Sequence, residues 1–427
     1  MRRSNELGIF NGNVLVVEKG KIIYQAEFGS ADASRSRKLT AAYRFNIGSI
    51  TKEFSAVSIM ILAEQGKLRL DDSVSNYLSG LPAWSQKVSI RNLLEFTSGL
   101  PELKWDTIRS DNDVLEDLKK VDTLRFEPGT KFEYTNNNVW LRNLIVAKIT
   151  NMPFNRFIER SVYRPCKMNS SVVNPSSATK NIAKSFSDDL VQDPTDLYLS
   201  GIVYVTAGDL YKWTQCLHDG KVISKQSVSI LGHGFNPLHG GLGRLAFDKD
   251  RLVLHYADGQ SRNFEAVMQS DLDEGFDVIL LDNNKNFKVS DIADAIRSIL
   301  RGNGYKQPKK SIAKYLDKDL DVLNIDDLIS LYNKLKTSRG NDFDFESDSD
   351  LNTMGYSLMN HNRIDDAIKL FALNCTLFPT SGNVFDSLGE AYLKKGDKKL
   401  ALENYRKAVE LDPKNLSAKE IIKQLEL

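Results

Sequence analysis

The chain has 427 residues, 41% of them hydrophobic, which is long for one domain and apolar enough for a large core. Its 57 Lys and Arg against 56 Asp and Glu leave a net charge of +1, so no basic excess points to nucleic acid or to an anionic membrane. No apolar run reaches the ~18 residues of a membrane span, and Met1-Arg2-Arg3 leads into Ser-Asn-Glu, so no signal peptide is expected in this chain. Cys166, Cys216 and Cys375 are odd in number and widely spaced, which implies no disulfide framework and three small buried side chains. The five histidines (218, 233, 239, 255 and 361) form no H-x-x-x-H, and no C-x-x-C occurs, which argues against zinc.

Residues 13–17 (NVLVV) and 22–24 (IIY), separated by EKGK, read as a β-hairpin. A helix is predicted over 49–65, with Phe54, Val57, Ile61 and Leu62 at helical spacing and Gly66 as its C-terminal cap. Its first residues are Ser49-Ile50-Thr51-Lys52, an S-x-x-K. The tetrad recurs at Ser177–Lys180 and Ser311–Lys314, so by itself it decides nothing. Ser49 can be an N-cap whose oxygen takes a first-turn N–H. It can also be a nucleophile, because Lys52 lies one turn on along the same helix face, within reach of its proton. Residues 70–200 are rich in helical patches and loops. They contain Tyr134-Thr135-Asn136, the one Y-x-N of the chain, where an extended run enters an apolar helix. Tyr134 reads either as a buried ring beside a capping Asn136, or as a general base with Asn136 contacting substrate or Lys52. Residues 251–256, 264–270 and 276–281 read as a meander of three strands turning at 271–275. Strands at both ends with helices between predict one antiparallel sheet plus an inserted helical lobe, with a ligand cleft between them.

With both motifs in view, residues 10–300 resemble the serine β-lactamase and penicillin-binding-protein superfamily, and most of all its class C-like branch of D-aminopeptidases, carboxypeptidases and esterases. Ser49–Lys52 and Tyr134–Asn136 stand in the places of the family's S-x-x-K and Y-x-N. Phe45–Gly48, Leu68–Val74, Leu93–Leu100, Thr206–Leu210 and Gly241–Gly243 match further segments in order. The resemblance implies a serine hydrolase with Ser49 as nucleophile and Lys52 and Tyr134 sharing the proton. The N–H groups of Ser49 and Gln260 would form the oxyanion hole, and Asn136, Asp258, Gly259 and Arg262 would meet a small ester, amide or β-lactam. No metal or cofactor is required. The resemblance also implies a periplasmic or other extracytoplasmic location. Two departures stand out. Ala257 and Asn263 occupy the basic and later glycine positions of the third motif (K/H-x-G, then Gly-Phe), and Phe96 precedes Thr-Ser-Gly where histidine is usual. His255 shares a strand face with Ala257 at another depth, and Arg262 is a candidate replacement charge. The losses favour esters over cephalosporins or D-Ala-D-Ala peptides. The rival reading is an inactive binding module.

The last 79 residues repeat. Gly355, Ala367, Phe371 and Pro379 recur as Gly389, Ala401, Tyr405 and Pro413, each 34 residues later, and Phe385-x-x-Leu388-Gly389-x-x-Tyr392 resembles the first helix of a tetratricopeptide repeat. Two repeats need cover at both ends. Residues 415–427 supply a capping helix with Ile421, Ile422 and Leu425 inward, and 325–332 an amphipathic docking helix, with an acidic loop at 338–348. The repeats could bind a protein partner or simply buttress the chain. The expected organisation is an α+β hydrolase domain over 1–305, a linker with a docking helix over 306–348, and an all-α repeat domain over 349–427.

Overall fold

The expected hairpin forms as β1 (Gly12–Glu18) and β2 (Lys21–Glu27), but β1 also pairs on its other edge with the last strand of the same unit. In this computed structural model, which describes residues 1–194, 199–236 and 241–426, a small sheet joins β3 (Phe45–Asn46), β4 (Val172–Val173) and β5 (Val203–Val205). The main sheet is completed by β6 (Arg244–Asp248), β7 (Arg251–Ser261), β8 (Phe264–Asp271) and β9 (Phe276–Asp282). Its order is β2-β1-β9-β8-β7-β6, antiparallel throughout.

Both faces of the sheet are covered, which is why β1 is an unbroken apolar run rather than an alternating one. Period 2 sends Leu15 and Val17 into the larger core and Val14 and Val16 into a smaller one. Helix α1 (Thr51–Glu64), α2 (Asn136–Thr150) and α3 (Ala207–His218) lie on the larger-core side. Helix α4 (Val289–Leu300) closes the other face through Val289, Ile292 and Ala293. Helix α1 is buried almost all round, from Glu53 to Leu62, so it is a central helix rather than an amphipathic surface one.

The cysteine expectation is corrected. Cys166 and Cys216 form a disulfide, with Cα atoms 5.3 Å apart across a sequence separation of 50, and it ties the helical lobe to α3. Wide spacing along the chain carried no information about distance in the fold. Cys375 is the free cysteine.

The chain divides at Gln307/Pro308. The second unit holds α5 (Ile312–Val322), α6 (Ile325–Arg339), α7 (Ser349–Asn360), α8 (Ile364–Leu377), α9 (Gly382–Lys395), α10 (Lys398–Leu411) and α11 (Leu416–Leu425). The repeat glycines make room for rings: a Cβ on Gly355 would lie 2.3 Å from Phe371, and one on Gly389 3.2 Å from Tyr405. The pair α5–α6 adds Ile312, Leu316, Leu328 and Tyr332 to the same core, so a third helical pair covers the first repeat where one docking helix and a linker were expected. The expected loop at 338–348 begins later, because α6 runs on to Arg339, and the loop from 340 to 348 anchors itself with buried Phe343 and Phe345. At the far end Ile421, Ile422 and Leu425 pack on Ala401 and Tyr405.

Reduction tests the crosslink. A closed loop of this length stabilises by roughly 2–4 kcal/mol. Cys166→Ser or dithiothreitol should therefore lower the melting temperature of the first unit, and intact mass under non-reducing conditions should show one disulfide.

Candidate active site

The turn carrying Ser49 is built from its backbone outward. Gly48 sits at φ +52°, a conformation that favours glycine, and with Ser49 and Ile50 it forms a single 3-10 turn ahead of α1. Asn46 holds it from both sides. Its Oδ1 accepts from the Gly48 N–H at 2.8 Å, and its Nδ2 donates to Ser261 Oγ at 3.3 Å. The capping reading of Ser49 is corrected: Ile50 is the cap residue of α1 and no side chain caps that end. The Ser49 hydroxyl instead accepts from Lys52 Nζ at 3.0 Å. Ser311, in another S-x-x-K, does what was expected of Ser49 and accepts from the Lys314 N–H.

Beside this turn runs the open end of β7. Strand β6 stops with Arg244 opposite Tyr256, so the β7 edge beyond is uncovered. Ser261 and Phe264 close a two-residue hairpin, and ladder alternation then turns the Gln260 N–H away from β8, toward that edge. Two glycines let the backbones meet. A Cβ on Gly48 would lie 2.3 Å from Gln260 N, and one on Gly259 would lie 2.0 Å from Ile47 O and 2.7 Å from Ser49 N. The backbone amides of Ser49 and Gln260 are thereby brought close together.

Tyr134 comes in from the lobe. Lys52 Nζ lies 4.9 Å from its ring centroid, and Phe96 packs on the ring at 4.7 Å. Tyr134 remains 41% exposed, open to solvent and substrate. Asn136 is not the cap of α2. Its N–H and its Nδ2 donate to the two oxygens of Glu102, at 2.8 and 2.9 Å, so a carboxylate occupies the helix N-terminus. Glu102, three residues after Gly99, escaped the sequence reading.

The third motif is laid out differently from expectation. Ala257 is buried in the core. Strand parity puts the exposed Asp258 on the side of Tyr256, whose hydroxyl meets Ser290 on α4 at 3.0 Å, away from the Ser49 side. Arg262 occupies the hairpin turn and donates to the carbonyl of Pro194. It lines a polar cleft of about 640 Å³ together with Asn46, Lys180, Lys184, Tyr204 and Ser261. His255 is fully buried and bonds Glu53, so it supports the site from below. Glu53, next to Lys52, accepts from His255 Nε2 at 2.9 Å and from Trp213 Nε1 at 2.8 Å, while His218 Nε2 meets His255 Nδ1 at 3.0 Å. Donation from His218 to His255 to Glu53 uses each proton once and bolts α1 to β7 and α3. Burial, and then the neighbouring His255, push His218 down to about 3. His239 lies outside the described residues.

The family model described as Beta-lactamase matches residues 2–263, and the tetratricopeptide-repeat model matches 387–415. "Penicillin-binding protein 4*" of Bacillus subtilis (strain 168) is 28% identical over 347 residues, covering 71% of this chain and 75% of that protein. The "putative penicillin-binding protein PbpX" of the same strain is 28% identical over 231 residues, covering 52% of this chain and 58% of its own length. Among solved structures, a penicillin-binding protein from Bacillus halodurans superposes with a TM-score of 0.60 at 22% identity, covering 69% of this chain and 97% of that one.

Two outcomes test this geometry. Gly259→Ala places a methyl between the two amides and should cut acylation about 10²–10³-fold with the fold intact by circular dichroism. His218 takes up its proton more readily unfolded, near its ordinary 6.5, than folded. Its contribution to stability is therefore complete above that pH and lost as pH falls toward 3. The melting temperature should drop more steeply between pH 6.5 and about 4 in the wild type than in His218→Gln.

Proposed function

The chain belongs to the beta-lactamase family, and from that premise we propose a serine hydrolase that works through an acyl-enzyme on Ser49. The observation that carries the reading is the 3.0 Å bond between Lys52 Nζ and Ser49 Oγ, beside the close approach of the Ser49 turn to the Gln260 backbone. Ser49 attacks the carbonyl carbon as Lys52 and Tyr134 take its proton. The oxygen collects charge against the Ser49 and Gln260 N–H groups. The proton passes to the leaving group, and water, activated by the same pair, releases the acid. Asn136, held by Glu102 through its Nδ2, is the polar contact for the substrate.

The substrates are small esters first, then amides of the peptidoglycan or β-lactam type. Ala257 puts no basic side chain where a substrate carboxylate would bind, which weighs against tight recognition of that group. That same loss is what favours the rival, a binding module without turnover. The location is extracytoplasmic: the Cys166–Cys216 disulfide is a bond that persists in oxidising compartments. Among the described residues no helix is long and apolar enough to cross a membrane. The repeats offer a surface for a protein partner.

A fluorophosphonate or penicillin should add its mass to the peptide containing Ser49. Ser49→Ala should abolish both the adduct and p-nitrophenyl ester turnover, and Tyr134→Phe should slow acylation about 10²–10⁴-fold. A folded sample with no adduct selects the binding module, and a Ser49→Ala that turns over esters as fast as the wild type overturns Ser49 as the nucleophile.

A further inference from the structure

Behind Tyr134 the chain accepts two costs at once. Phe96 adopts φ +56°, a left-handed conformation that bulky residues rarely take. It is held there by the Glu133 N–H, which donates to its carbonyl at 2.9 Å, and by Thr97, whose N–H reaches Asn92 O at 2.9 Å. In that conformation its ring is only 1% exposed and packs on Tyr134, tilted by 31°. Behind Phe96 lies the second cost. Arg142, in the second turn of α2, is fully buried, and its Nε, Nη1 and Nη2 have no hydrogen-bond partner. Its Cζ stands 5.4 Å from the Phe96 centroid. The four side chains form a file: Lys52, Tyr134, Phe96, Arg142.

A buried guanidinium without a counter-charge is costly, and an apolar side chain of similar size would be the stable choice. Strain and an uncompensated charge that converge on one ring point to a task at that ring. We propose that Arg142 is a positioning residue for acylation: through Phe96 it fixes the Tyr134 ring and presents a buried positive charge to the negative charge this tyrosine carries as base. This rests on the hydrolase reading. Tyr134, as phenolate, takes the Ser49 proton while the Oγ–carbon bond forms and the carbonyl π pair moves onto oxygen. The proton goes to the leaving alkoxide or amine as its bond to carbon breaks, and the phenolate returns. Arg142 favours the first and last of these states.

Arg142 adds to the charged groups already near Tyr134. Lys52 enters from α1 and is engaged with Ser49. Glu102 is bonded to Asn136, and Glu133 is paired with Arg125. Burial lowers Arg142 only to about 9, so it stays cationic at neutral pH, and the one ionisable side chain that pulls it back up is Tyr134.

The test uses the full chain, p-nitrophenyl acetate and a fluorophosphonate. Arg142→Met should melt at or above the wild-type temperature, because it removes a buried unpaired charge. Its kcat/KM should fall about tenfold, mainly in kcat, with the acid limb of the pH profile moved to higher pH. Arg142→Lys should restore most of the rate. Independently of turnover, the tyrosinate absorbance that Tyr134→Phe removes should appear at higher pH in Arg142→Met than in the wild type. If Arg142→Met does not fold, Arg142→Gln, which removes the charge and keeps a polar side chain, must show the same losses. Unchanged kcat, acid limb and tyrosinate band in these variants overturn the proposal. A wild-type chain that forms no Ser49 adduct overturns the hydrolase reading instead, and the absorbance titration then decides Arg142 alone.

Discussion

Everything at the site depends on two stretches of backbone lying closer together than side chains permit. The Ser49 turn and the open end of β7 touch through Gly48 and Gly259, and neither position has room for a Cβ. Such contact has no adhesion of its own, since two glycines bury little apolar area. It is held by what surrounds it. Asn46 clamps the turn to Ser261, and the Glu53–His255 bond draws α1 onto β7 four residues before Gly259. The polar network inside the core is therefore the fastening that keeps the Ser49 turn against the end of β7.

Buried charge is handled in two ways. Glu53 is fully used: His255 and Trp213 occupy both of its oxygens, so it stabilises a specific arrangement. Arg142 is left unsatisfied against an aromatic face. On β7 Ala257 is buried, and before Thr97-Ser98-Gly99 stands Phe96 at φ +56° with Arg142 behind its ring.

That Ser49, Lys52 and Tyr134 meet was legible because local motifs announce them, the meander because its apolar runs are separated by a turn at 271–275, and the repeats because their period of 34 is visible in one pass. Residues whose meaning lies in a distant partner were not legible. Cys166 finds Cys216, Glu102 finds Asn136 and Arg142 finds Phe96 only after folding. His255 drew attention for its strand face, but its depth, and so its bond to Glu53, could not be read from parity. Ser49 looked like a cap because a helix does follow it. The 3-10 turn that swings its hydroxyl to Lys52 is set by the left-handed Gly48, whose conformation has no signature in sequence beyond the glycine itself.

The pairing of Gly12 with Asp282 has a consequence for how the molecule is made. Chain leaves a ribosome from its N-terminus, so β1 and β2 and the Ser49 turn emerge early, while β7, β8 and β9 follow only after the whole lobe. Until then one edge of β1 is an open template for any passing strand. The hydrolase unit can condense only when its last strand arrives, whereas the helices after Pro308 pack mostly on sequence neighbours and pay little for loop closure. The later-born part of this chain is thus the faster to finish, and aggregation should threaten the nascent chain most during the interval before residue 282 is free.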